Sequence, residues 1–274
     1  MDLRGLVRGT VDWADLEGVG RRLAERSDEE SVRIEFLEAD NWLSTPLIVD
    51  EQWFVKIISP QNAFVHAVLT GARNIGAFSS GTAGFFERFE GPVEMGRHEL
   101  EANERMGEIG LNTPAPVGVF EYEQFGVVVL EYLDDFRSLG DLSPMEKLSY
   151  TDELFESLAR MHEHGLAHGD LRAENVLVVD GELYFIDATS VREDGMDGAR
   201  AYDLSCALAV LAPAIDAETA VEYALAHNSI EDVLAAREFL DFVKLRPDHD
   251  FDALRVKGEI VKAADAPARS TTGQ

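Results

Sequence analysis

Apolar residues recur over residues 12–26 (DWADLEGVGRRLAER) at the three-and-four spacing of a short amphipathic helix. Three short apolar runs follow, at 32–37 (VRIEFL), 45–50 (TPLIVD) and 52–58 (QWFVKII). Their length and β-branched content predict strands, with Asp50-Glu51 as a tight turn. Residues 61–69 read as helix. Residues 71–92, rich in Gly and Ser, read as a long flexible loop, and 94–109 as a helix stopped by Gly110. A hairpin is predicted at about 116–122 and 126–132. Beyond Asp134-Asp135 the pattern changes. A long helix is expected over 144–164, with Leu154, Phe155, Leu158, Met161 and His162 on one stripe. Two strands about Asp180-Gly181 come next, and residues 198 to about 265 are helical in pattern. Strands dominate the first half and helices the second. This predicts an α+β protein of two lobes joined near 131–139. Residues 1–30 would form a helical extension, 31–133 a first lobe, 134–265 a second, and 266–274 a disordered tail.

Polar residues inside those apolar runs raise the chemical question. Lys56 lies within WFVKII, and an unpaired buried ammonium costs several kcal/mol (about 3 or more), so an anion should face it. The bland alternative is a Lys at a strand end reaching water. On the 94–109 helix the apolar face runs Met95, Ala102, Met106, Ile109. Glu99 falls on that face, whereas Glu101 and Glu108 fall off it. A single helical Glu is usually solvated; its joint occurrence with Lys56 suggests an internal ion pair. In HGDLRAENVLVVDGELYFIDATS (168–190), Asp170, Asn175 and Asp187 flank two apolar strands. Hard oxygens of this kind suit Mg²⁺, which takes few protein ligands plus phosphates. A carboxylate not bound to metal can accept a hydroxyl proton, and Arg172 would place a cation beside it. Taken singly, each Asp could equally be a turn or cap residue.

Composition narrows the setting. The chain has 274 residues, 46% of them apolar, which suffices for one large domain or two lobes. Its single Cys, Cys206, excludes an internal disulfide and reads as a small buried hydrophobe. No apolar run reaches the roughly 18 residues of a membrane span, and no apolar signal core opens the chain, so a cytoplasmic protein is expected. The formal charge is −28 with only five Lys. That balance fits a chain working in concentrated salt, as in haloarchaea, where the Debye length shrinks to about 3 Å and self-repulsion is screened. It also argues against a strong nucleic-acid surface, which needs a basic face.

HGDLRAEN followed by FIDATS resembles the catalytic and metal-binding loops of the protein-kinase-like fold, with Asp187 where D-F-G has its Asp. The Gly after His168 and the missing D-F-G are similar to the RIO-type atypical Ser/Thr kinases and the small archaeal kinase of the KEOPS complex. HELEANERMGEIGLNTPAP resembles the RIO pattern around Glu99: an Arg six residues on, an apolar residue at seven, Gly at eleven, then paired prolines. GVVVLEYL resembles the adenine-holding hinge. The resemblance covers about residues 31–212. It implies a bilobal kinase fold with Asp170 as catalytic base, Asn175 and Asp187 on Mg²⁺, and Lys56 on the ATP phosphates, held by Glu99. Leu130 would be the gatekeeper, with Glu131 and Leu133 pairing adenine through their backbones, and Asp203 would brace the catalytic loop. Arg172 departs from the RIO pattern, which has a small residue there. The phosphate-covering loop (EADNWLSTP) lacks Gly, leaving Ser44 and Thr45 as phosphate contacts. Only about a dozen residues separate Asp187 from the next helix, so no long activation segment is expected.

These features imply an ATP- and Mg²⁺-dependent Ser/Thr protein kinase acting on a protein or on itself, with Ser79, Ser80 and Thr82 as candidate acceptors. A small-molecule kinase of aminoglycoside or choline type shares H-G-D-x-x-x-x-N but usually has a larger helical lobe and Pro-Gly where this chain has Ala173-Glu174. A nucleotide-binding scaffold without turnover is the third reading, drawn from the Gly-free loop.

Overall fold

A computed structural model describes residues 11–37, 44–79, 89–188, 193–246 and 249–266. Helix α1 (Trp13–Ser27) precedes strands β1 (Ile34–Phe36), β2 (Thr45–Val49) and β3 (Trp53–Ile58). Helices α2 (Pro60–Ser79) and α3 (Pro92–Glu108) follow, then the hairpin β4 (Pro116–Tyr122) and β5 (Phe125–Glu131). The five strands form one antiparallel sheet in the order β1-β2-β3-β5-β4. The second lobe holds β6 (Arg137–Ser138), α4 (Pro144–Glu163), β7 (Val176–Val179) and β8 (Glu182–Phe185), with a β6-β7-β8 sheet. Helices α5 (Met196–Ile215), α6 (Ala217–His227), α7 (Ile230–Arg237), α8 (Leu240–Lys244) and α9 (Ala253–Asp265) complete it. The architecture is α+β in two lobes, as the pattern predicts.

Strand β5 is buried at every position from Phe125 to Leu130, as is β3 from Val55 to Ile58. Such continuous apolar runs require cover on both sheet faces. On one face Leu16, Val19 and Leu23 of α1 pack against Leu47, Val55, Ile57 and Val127. On the other, Met95 and Leu100 of α3 pack against Ile58, Val128 and Leu130. Helix α1, expected as an extension, is therefore one layer of the first lobe. The larger core lies in the second lobe, where Phe155, Leu158, Phe185 and Tyr202 are almost fully buried, as is Cys206, whose thiol is pushed up to about 12 by burial.

Local chemistry fixes the helix starts. Ser143 and Glu146 form a capping box before Pro144: the Glu146 carboxylate accepts the Ser143 N–H at 2.8 Å. Asn62 Oδ1 accepts the Ser59 N–H at 2.9 Å at the head of α2. That helix runs to Ser79, so residues 71–79 are helical where a loop is expected. Gly71 and Gly76 each cost about 1 kcal/mol relative to Ala, too little to stop a helix already nucleated by its cap. Ser79 closes α2, while Ser80 and Thr82 lie outside the described residues.

Candidate active site

Glu99 is positioned by the packing of α3 on the sheet. Gly96, Asn103 and Met106 are buried, so the helix turns its 96–99–103–106 face inward, and Glu99 goes with it while Glu101 stays exposed. Lys56 sits in the centre of the sheet, paired with Pro46 on β2 and Val128 on β5, and is 5% exposed. Its Nζ donates to Glu99 Oε1 at 2.6 Å and also to Asp187 Oδ1. Burial on its own would lower the Lys56 pKa; Asp187 and then Glu99 outweigh it and hold the ammonium above its ordinary value. Burial pushes Glu99 up, against the pull of Lys56, with Asp187 adding to the rise. One ammonium between two carboxylates leaves the pocket with excess negative charge, and a further cation would relieve it.

The connection between the lobes sets the position of Asp187. The chain leaving α3 lies beside β8: the Phe185 N–H donates to the Asn112 carbonyl at 2.9 Å. Two residues past β8, Asp187 takes φ 59°, a left-handed conformation Asp tolerates better than most residues. The Ile186 N–H donates to the Asn175 carbonyl at 3.0 Å, which ties the two acidic loops together. Asn175 uses its Nδ2 on the Asp170 carbonyl at 2.8 Å. Its amide orientation is thereby fixed, and Oδ1 accepts a hydrogen bond from Arg172 Nη2 at 3.3 Å, a bond a metal ion would have to displace or share. This donor set fits Mg²⁺. Among the described residues no group of three His, Cys, Asp or Glu stands close enough to hold an ion by itself.

Helix α5 anchors the loop that carries Asp170. The fully buried Asp203 accepts the His168 N–H at 2.7 Å and the Gly169 N–H at 2.8 Å. Gly169 has φ +74°, a left-handed conformation Gly adopts without strain, and it lets successive N–H groups converge on that carboxylate. His168 is wholly buried, and burial lowers its pKa against the opposing carboxylates of Asp203, Asp170 and Asp187.

Arg172, expected beside Asp170, is joined there by Arg246, which no local sequence pattern indicates. Arg246 Nη2 donates to Asp170 Oδ1 at 2.9 Å, while Arg172 Nε lies 3.5 Å from Oδ2. Arg246 also donates from Nη1 to the hydroxyl of Tyr202, on α5 one residue before Asp203. Nothing in KLRPDH marks Arg246 in the sequence, since the contact spans 76 positions.

The remaining candidates lie on or beside strands β2 and β5. Ser44 is 4% exposed, and its Oγ has no hydrogen-bond partner among the described residues; Thr45 opens β2 opposite Ile57. Leu130 is buried, and the Glu131 N–H is used on the Ala115 carbonyl at 2.9 Å. Leu133 lies just beyond β5, outside the ladder. Helix α5 starts at Met196, so the segment after Asp187 is short. No helix among the described residues is long and apolar enough to cross a membrane.

Residues 93–200 match the RIO domain family model. The KEOPS complex subunit Bud32 of Pyrococcus abyssi is 34% identical over 104 residues, 36% of this chain and 46% of that protein. The RIO-type serine/threonine-protein kinase Rio1 of Haloferax volcanii is 33% identical over 95 residues, 33% of this chain and 31% of that protein. The chain thus spans less than half the length of the curated relatives it matches. The solved Mycobacterium tuberculosis PknI kinase domain aligns over 84% of this chain and 95% of its own at 13% identity and a TM-score of 0.42. The segment that carries Glu99, Asp170, Asn175 and Asp187 is thus the one similar to the RIO domain model, and it is set in an α+β fold of two lobes.

Proposed function

We propose that the chain is a RIO-like Ser/Thr protein kinase that transfers the γ-phosphoryl group of ATP to a protein hydroxyl, its own included. The observation that carries this reading is Lys56 bound by both Glu99 and Asp187, with Asp187 one residue from the hydrogen bond that fastens Asn175. Lys56 would pair with the ATP phosphates, and Glu99 would keep it aimed. Adenine would meet the backbones of Glu131 and Leu133 behind Leu130. The buried hydroxyl of Ser44, which has no partner among the described residues, would stand in with Thr45 for Gly-loop amides. Asn175 and Asp187 would hold Mg²⁺, which when bound offsets the negative charge of the phosphates. Asp170 would orient the acceptor hydroxyl and take its proton as the new P–O bond forms and ADP leaves, and Arg172 would face the transferring group. Such chemistry rests mainly on positioning and charge. The homologues named as a RIO-type kinase and a KEOPS subunit support phosphotransfer without naming the target.

The test is incubation with γ-labelled ATP and Mg²⁺ in molar KCl. Label on protein, lost in Asp170→Asn and in Asp187→Ala while both retain the wild-type melting transition, is the expected result. Full transfer by Asp170→Asn would remove its assignment as base. Label on an added small hydroxyl compound would point to the small-molecule kinase reading, and ATP binding without turnover to the scaffold.

A further inference from the structure

Arg246 lies outside the RIO-matching segment, yet its guanidinium reaches the carboxylate proposed as the base. We propose that Arg246 is a positioning residue: it fixes Asp170 by Oδ1, and Oδ2 receives the acceptor's proton. The inference rests on the kinase reading of the site. Three features of the geometry support it.

First, the guanidinium is itself held. One nitrogen donates to Asp170 and the other to Tyr202, whose ring is fully buried with Phe239 and Phe242 at centroid distances of 6.1 and 5.8 Å. The Arg246 backbone is pinned too: its N–H donates to the Val243 carbonyl at 3.0 Å and its carbonyl accepts the His249 N–H at 3.3 Å. An Arg tied into the core at both ends fixes a rotamer; a removable plug would need a looser base. Second, the same helix does both jobs. On α5, Asp203 holds the loop's backbone and its neighbour Tyr202, through Arg246, holds the loop's carboxylate. Third, the two arginines contact different atoms of the site. Arg246 is within hydrogen-bond distance of Oδ1, while Arg172 approaches Oδ2 only to 3.5 Å and turns Nη2 to Asn175. A planar guanidinium suits this task because its donors form a rigid fork.

The test compares Arg246→Ala, Arg246→Lys and Tyr202→Phe with wild type in the full chain, using Mg·ATP and dephosphorylated casein in molar KCl. Arg246→Ala should lower kcat about 10- to 100-fold, the scale of a small misplacement of a catalytic group. KM for ATP should stay within about twofold, because ATP binding does not use Asp170. Millimolar guanidinium should restore much of the Arg246→Ala rate, while urea should not. Arg246→Lys should fall between, and Tyr202→Phe should show a smaller loss of the same kind. Should Arg246→Ala fail to give a cooperative melt, Tyr202→Phe and Arg246→Lys decide the matter by the same split. An Arg246→Ala rate equal to or above wild type would overturn the proposal, the latter marking an inhibitory contact. So would a loss that guanidinium leaves unchanged while KM for ATP rises. A wild-type chain that transfers no phosphate sinks the kinase reading and this inference together; a transferring wild type with an unaffected Arg246→Ala sinks only the inference.

Discussion

At the scale of single residues, the site is an arrangement of buried charges that tolerate each other only in company. Lys56 serves Glu99 and Asp187 together, and its removal would strand two carboxylates in a site where Glu99 is only 13% exposed at its side chain. Lys56→Met should therefore cost about 3 kcal/mol in denaturant unfolding at high salt. The double variant Lys56→Met/Glu99→Gln should recover at least half of that; a double variant less stable than the single would show that the pair is not the source. His168 gives a pH signature. Its folded pKa lies below the ordinary value near 6.5, so between the two the unfolded chain takes up a proton that the folded chain refuses. The stabilisation it provides is complete above about pH 6.5 and is lost as pH falls through that window. Melting temperatures measured across it should fall with acid in wild type, and the fall should be shallower in His168→Gln.

At the scale of elements, the placement of α3 decides whether Glu99 reaches Lys56. The start of that helix lies against β5 at Gly126, where an added Cβ would come within 2.4 Å of the Pro92 carbonyl oxygen and 2.8 Å of the Val93 nitrogen. Both are backbone atoms and cannot swing aside. Gly126→Ala should push α3 off the sheet, costing about 1–3 kcal/mol by overpacking. If Glu99 moves with the helix, phosphate transfer should fall more than stability alone explains, which activity assayed well below the melting transition would read. Unchanged activity in a destabilised variant would place Glu99 on a part of α3 that stays put. Past the far end of α3 the Asn112–Phe185 bond ties the chain to β8, and Met106 of α3 joins the core of the second lobe.

At the scale of the whole molecule, a net charge of −28 on 274 residues works against compactness. The Debye length falls from about 10 Å at 0.1 M salt to about 3 Å at 1 M, so exposed acids are mutually screened only in concentrated salt. The melting temperature should rise by several degrees from dilute to molar KCl; a value unchanged on dilution would show that the acids are already compensated. Exposed pairs such as Arg21–Glu17 and Lys262–Glu218 are too solvated to supply that compensation.

Periodicity and local chemistry point to two lobes and most element positions, and they single out Lys56, Glu99, Asp170, Asn175 and Asp187 as candidates, because each lies in a short stretch whose pattern is its own signal. Helix α3 shows why: seven-, four- and three-residue steps put Glu99 on the packing face before any partner is known. The sequence pattern ends α2 too early because Gly is a statistical stop whose cost of about 1 kcal/mol a capped helix absorbs. Tertiary structure alone decided that α1 is a layer of the first lobe, that Lys56 is shared between two carboxylates, and that Arg246 and Tyr202 hold Asp170. Those facts depend on chain segments many tens of residues apart meeting in space, and no local pattern encodes which distant guanidinium a buried carboxylate will find.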